Sequence, residues 1–131
     1  LVVDAEAAAV AVEIERSSPQ GTAPSDALLV GGCAYLDAMA VPGRTRLLLI
    51  DAPAALGHAE AKAIDMCHSA STLQYGLSTA IEAGVLPPLP LGPLTGMISA
   101  AFDQAALDIE AGGSRKDWEE VLGRMFAGLL K

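Results

Sequence analysis

The sequence predicts an all-α domain, a bundle of about six helices, on three observations. No segment alternates apolar and polar residues for long enough to argue a strand. Apolar residues recur instead at three- and four-residue spacing. Pro and Gly gather mainly between those stretches, where they act as punctuation. The chain has 131 residues, one domain's length. A chain of this size buries on the order of two-thirds of the surface its unfolded form exposes. Hydrophobic residues make up 52% and charged residues 18%, which excludes intrinsic disorder. Aromatics are only 4%, so the core is expected to be built of small and aliphatic side chains.

The elements follow in order. A first helix over about Val2 to Arg16 carries Val3, Ala7, Val10 and Ile14 on one face. Ser17 to Pro24 reads as a loop. Ser25 or Asp26 is expected to cap a second helix with the stripe Leu28, Leu29, Gly32, Tyr35, Leu36 and Met39, ended by Pro42 and Gly43. A third helix runs from about Arg44 to Asp51. Pro53 disfavours helical geometry at Ala52, so a break or kink is expected there. Asp51 is a candidate cap for the short turn that follows, and Gly57 suits its end. A long fourth helix runs from about His58 to Ala83 and stops at Gly84. A proline-rich connection leads to Pro93, and a fifth helix carries Leu94, Ile98, Ala101, Phe102, Ala105 and Ile109 before Gly112 and Gly113. Ser114, with Asp117 three residues on, resembles a capping box. It opens the cleanest stripe of the chain: Trp118, Val121, Leu122, Met125, Phe126, Leu129 and Leu130.

Charge narrows the function classes. Sixteen acids against eight bases leave a formal net charge of -8, which makes this chain a poor nucleic-acid binder by itself. So few charges in a chain of this size call for a covered surface or a membrane. Twenty uncharged residues lie between Glu82 and Asp103, but they hold Pro87, Pro88, Pro90 and Pro93, which cannot share one helix. The sixteen uncharged residues between Asp65 and Glu82 include His68, Ser69, Ser71, Thr72, Gln74, Ser78 and Thr79. No membrane span is expected, and no signal peptide. Cys33 and Cys67 make no disulfide framework and fit a reducing, cytoplasmic setting. The chain opens with Leu1 rather than Met and is expected to belong to a longer protein.

The run Arg46-Leu47-Leu48-Leu49-Ile50-Asp51-Ala52-Pro53-Ala54-Ala55-Leu56-Gly57 resembles the start of the ligand-binding domain of TetR-type (TetR/AcrR) transcriptional repressors. The helix end at Ala80-Ile81-Glu82-Ala83-Gly84-Val85-Leu86, the proline-containing connection, two closing amphipathic helices and the final Phe126-Ala127-Gly128-Leu129-Leu130 are similar too. The likeness covers essentially the whole chain. It departs at His58, where relatives often carry an aromatic residue. No basic helix-turn-helix is present in these residues. The resemblance implies an effector-binding and dimerisation domain over residues 1–131. It implies a bacterial homodimer whose last two long helices form a four-helix bundle across the two-fold axis. It also implies a pocket for a small apolar effector, and DNA contact only through a missing N-terminal domain.

The residues supply candidates for each role. For a dimer face they are Leu94, Ile98, Ala101, Ala105, Trp118, Leu122, Met125, Phe126 and Leu129, some of which must also serve the chain's own core. Small residues Ala101, Ala105 and Ala106 permit close helix approach. In the fourth helix, Ala63, Cys67, Ala70, Gln74, Leu77 and Ile81 form one stripe, and Ile64, His68, Ser71, Tyr75 and Thr79 a second. Only the arc of Lys62, Asp65, Ser69 and Thr72 reads as wet. A helix covered on most sides is central, and bundle pockets lie beside such helices. His68, Ser71 and Tyr75, with Gln74 and Cys67 nearby, are candidate polar groups of a pocket. Tyr35, Met39, Met97 and Phe102 are candidate apolar walls. The alternative for His68 and Tyr75 is a helix–helix seam.

Asp65, Cys67, His68 and His58 do not make a metal site, since tetrahedral zinc needs about four convergent ligands. Cys67 and His68 diverge by roughly 100° on a helix. No nucleotide loop, nucleophile elbow or zinc-protease motif occurs, so neither an enzyme nor a cofactor is expected. The competing class is a helical interaction or scaffold module, which calls for a solid core where a ligand-binding domain calls for a cavity.

Overall fold

The computed structural model describes residues 2–17 and 23–130. Among these residues the chain is helical and no strand forms. The helices are α1 (Val2–Ser17), α2 (Pro24–Met39), α3 (Arg44–Arg46), α4 (Ala52–Leu56), α5 (His58–Cys67), α6 (Ser69–Glu82), α7 (Leu91–Glu110) and α8 (Arg115–Leu129), with a π-helical turn, Leu47–Asp51, joining α3 to α4. The loop expected between α1 and α2 lies, over residues 18–22, outside the described residues.

Two of the expected helices are divided. The expected third helix, Arg44 to Asp51, is α3 followed by the π turn, and α4 stands where a short turn was expected. Ala52 keeps helical dihedrals ahead of Pro53, and its N–H bonds back five residues to the Leu47 carbonyl. Widening the turn there absorbs a proline that has no N–H to give and whose ring crowds the preceding turn. The expected break before Pro53 is therefore a change of helix type. Asp51 does not cap with its side chain. It faces Arg46 across 4.0 Å at the exposed surface. Gly57 reverses the chain at φ 89°.

The expected fourth helix is α5 and α6, broken at His68, whose N–H closes a tight turn on the Asp65 carbonyl at 3.0 Å. No proline or glycine marks the break, so the sequence offers no signal for it.

Other ends follow their chemistry. Helix α2 begins at Pro24, ahead of the expected Ser25 or Asp26 cap, with Pro in its first turn where no N–H is required. Helix α7 begins at Leu91, so Pro93 lies in its first turn rather than in the connection. Ser114 caps α8 by accepting the Asp117 N–H at 3.2 Å. Gly84 and Gly112, both with positive φ, close α6 and α7.

Helices α2, α6 and α7 meet at the centre, with α1 across α2 and α6 and with α8 against α2 and α7. Val10, Leu77, Leu86 and Ile98 are fully enclosed. Each such burial is worth roughly 1.5–3 kcal/mol. Phe102 stacks between Phe126 of α8, at 5.9 Å, and Tyr35 of α2, at 6.1 Å and edge-on. Leu94, Ile98, Ala105, Leu122 and Phe126, expected at a dimer face, are buried in this single-chain core, and Ala106 with them. Side chains so enclosed by their own chain have no surface left to present. Ala101, Trp118, Met125 and Leu129 are half-buried at its edge.

Two ties fix the periphery. Arg115 of α8 pairs with Asp37 at 2.6 Å and Glu119 at 2.9 Å, and donates to the Cys33 carbonyl at 3.2 Å. The Trp118 indole N–H donates to Asp108 at 2.7 Å, closing the α7–α8 corner.

Candidate ligand cavity

The central helices do not close on one another completely. A cavity of about 350 Å³ lies between α1, α2, α6 and α7, walled by Ile14, Leu28, Leu73 and Phe102. Gly31 and Gly32 on α2 and Gly76 on α6 line it, and the Phe102 ring lies so close to Gly32 that a Cβ there would meet Cε1 at 2.7 Å. A second cavity of about 520 Å³ lies beyond, bounded by Val3, Met39, Leu48, Leu49, Gln74 and Leu107 among others. Tyr35, Asp65, Ser69, Ser99 and Asp103 belong to both and form the wall between them. Both volumes fall in the range of roughly 300–1,000 Å³ usual for small-molecule sites.

The shared wall is polar and charged. The Tyr35 hydroxyl donates to Asp103 Oδ1 at 2.6 Å. Burial holds the Tyr35 phenol well above its usual value, with the adjacent Asp103 charge adding to it. Burial also pushes Asp103 up to about 6, partly offset by the Tyr35 hydrogen bond and reinforced by the charge of Asp65. Asp65 is raised by burial as well, against the pull of the Ser69 and Ser99 hydroxyls and the positive potential of His68. Ser69 Oγ stands 3.4 Å from Asp65 Oδ1. Along the larger cavity, Thr95 is 3% exposed and its hydroxyl has no hydrogen-bond partner.

Of the expected pocket residues, Tyr35, Phe102 and Tyr75 line the smaller cavity, and Tyr35, Met39 and Gln74 the larger. Tyr75 is 76% exposed and so stands at the rim. The other four lie elsewhere. His68 turns to α1, 2.8 Å from Asp4 Oδ1, which places it at a helix seam. Cys67 and Ser71 are exposed and line neither cavity. Met97 is 52% exposed on the outer face of α7.

The arc read as wet is the one that faces inward. Asp65, Ser69, Thr72, Gly76 and Thr79 all line the smaller cavity, while Lys62 alone of that arc is exposed. Asp65, Ser69, Thr72 and Gly76 keep helical spacing through the break at His68, so the phase carries over, and the arc reads as wet only because its side chains are polar or charged. Asp103 carried one signal in the sequence: it follows Phe102 directly and ends the twenty-residue uncharged stretch, so its charge enters a largely apolar surround.

Among the described residues, no three His, Cys, Asp or Glu side chains converge as metal ligands, and no helix is long and apolar enough to cross a membrane.

The fold and cavities together define a helical domain with ligand-sized space between its central helices. The family model described as tetracyclin repressor-like, C-terminal domain, matches residues 25–131, and the chain belongs to that family. The match takes in α2 through α8 and leaves α1 outside it. The family is one of transcription regulators rather than enzymes, and its C-terminal domains serve in general as ligand-binding and dimerisation domains. No curated protein matches the chain.

Proposed function

We propose that this chain is the effector-sensing and dimerisation domain of a TetR-like repressor. A small molecule in the α2–α6–α7 cavity would set the DNA affinity of an N-terminal domain outside these residues. The single observation that carries the reading is the cavity of about 350 Å³ at the heart of a domain of this family. A scaffold module calls for a packed centre, and the open volume speaks against it. The leverage of an effector equals its differential affinity for the two dimer arrangements and no more.

The dimer face is revised by burial. Val121, 61% exposed, joins half-buried Trp118, Met125 and Leu129 along one side of α8, with Ala101 on α7. Such a stripe is self-complementary about a two-fold axis. The deeper residues Leu94, Ile98, Ala105, Leu122 and Phe126 support this face from beneath.

The test is a thermal-shift screen of mainly apolar small molecules against the wild type and Gly76→Leu, which fills the cavity from α6. Compounds that stabilise the wild type and lose their effect in Gly76→Leu support the reading. Compounds equally effective on both proteins would place binding elsewhere.

A further inference from the structure

The walls of the cavities say what kind of molecule fits. The smaller cavity is lined by three carboxylates, Glu15, Asp65 and Asp103, and by no Lys, Arg or His. Glu15 is at its exposed edge, where Thr72 donates to it at 3.3 Å. Asp65 and Asp103 are inside. Neither has a salt-bridge partner among the described residues, although Arg44 and Arg115 are each paired with two acids. The basic side chains on the larger cavity's wall, His58 and Lys62, are exposed. His68, which reaches Asp65 through its potential, is bonded to Asp4 instead.

A buried carboxylate without a counter-charge is costly, and two that sense each other are more so. The Tyr35 and Phe102 rings of the same cavity add faces that attract cations. An independent mark of a missing partner lies in the adjoining cavity. The Thr95 hydroxyl is buried and unpaired although nearly all buried polar groups find a partner.

We infer that the effector is a cationic amphiphile. Its protonated or quaternary amine would sit at the wall shared by Asp65 and Asp103, its apolar body against Phe102, Leu28 and Leu73, and a hydrogen-bonding group at Thr95. The inference rests on the effector-domain reading and specifies its ligand class. An anionic or purely hydrocarbon effector would leave the two carboxylates uncompensated.

The test is a calorimetric titration of the full chain at neutral pH with benzyltrimethylammonium and with neopentylbenzene, its neutral isostere of the same shape. The expected result is at least tenfold tighter binding of the cation, a ratio that falls to about one in Asp65→Asn/Asp103→Asn. Should the double variant not fold, Asp103→Asn alone is expected to lower the ratio several-fold, since an asparagine oxygen still accepts from Tyr35. The hydroxyethyl analogue of the cation probes the other end. Thr95→Val is expected to weaken it relative to benzyltrimethylammonium, and an unchanged relative affinity overturns the Thr95 assignment. Equal affinity for the cation and its isostere, or a ratio that survives the double variant, overturns the inference while leaving the effector cavity standing. Failure of both probes to bind overturns the inference and counts against the cavity reading as well.

Discussion

Two regions of this molecule bury charge, and they do so in opposite ways. At the junction of α1, α2 and α3, the Arg44 guanidinium is buried and held by three acceptors. It donates to Glu6 at 2.8 Å, to Glu13 at 3.1 Å and to the Ala38 carbonyl at 2.8 Å. Beside it Thr45 donates to the Met39 carbonyl at 2.7 Å. Facing the central cavity, Asp65 of α5 and Asp103 of α7 have hydroxyls for neighbours and no salt-bridge partner among the described residues, and His68 reaches Asp65 only through its potential. The first arrangement satisfies every group it removes from water and joins three helices. The second leaves charge unanswered next to open volume. Charge that is satisfied is architecture, and charge that is left over is available to a ligand.

The contrast is broken most severely at the satisfied end. Arg44→Ala is expected to destabilise the fold by about 2–4 kcal/mol, since removing one partner of a buried pair strands the other, and the half-exposed glutamates soften the loss. A urea denaturation midpoint measures it. At the unsatisfied end the sign reverses. Because the Asp103 proton is held more tightly in the folded chain, its contribution to stability is fullest below the unfolded pKa. That contribution is lost as pH rises through about 6. Asp103→Asn is therefore expected to raise stability at pH 7 by on the order of 1–2 kcal/mol and to flatten the pH dependence of Tm between about pH 4 and 7. A wild type whose stability rises across that window on account of Asp103 would contradict this.

Smaller effects sharpen the comparison. Gly76→Leu replaces a mid-helix glycine and fills apolar space, so a gain of about 0.5–1 kcal/mol is expected together with loss of cavity ligands. Tm and binding are read on the same samples. Val121→Glu is expected to change protomer stability by no more than about 0.5 kcal/mol, as an exposed position. Sedimentation velocity should show it shifting the chain from dimer to monomer. A wild type that sediments as a monomer at micromolar concentration would remove the proposed α8 face.

Much of the fold was legible because helix ends write themselves in residue types. Ser114, Gly84, Gly112 and Gly57 each do in the structure what their chemistry predicts. The run from Arg46 to Gly57 marked the family without its geometry being visible. The π turn before Pro53 and the break at His68 were not legible. The first is one of two ways to accommodate a proline, and the second carries no local signal. The face that mattered more, that of Asp65, Ser69 and Thr72, keeps one phase across that break and was read as wet because its side chains are polar. Ser69 and Thr72 moved to the cavity wall and Ser71 to solvent. Tyr35, Met39 and Phe102 line the cavities as the helix stripes of α2 and α7 led one to expect. Asp65 and Asp103 were missed because a charged residue in a sequence is read as wet unless its neighbours in space are known.

The state of Asp103 decides whether this cavity holds charge for a ligand, and a carbon-detected NMR titration of its side-chain carboxyl measures that directly. In the free chain the midpoint is expected at about 6, and with benzyltrimethylammonium bound it is expected to move down toward the ordinary carboxylate range. A midpoint already in the ordinary range in the free chain, or one that the cation leaves in place, would contradict the claim that this cavity holds unanswered charge for its ligand.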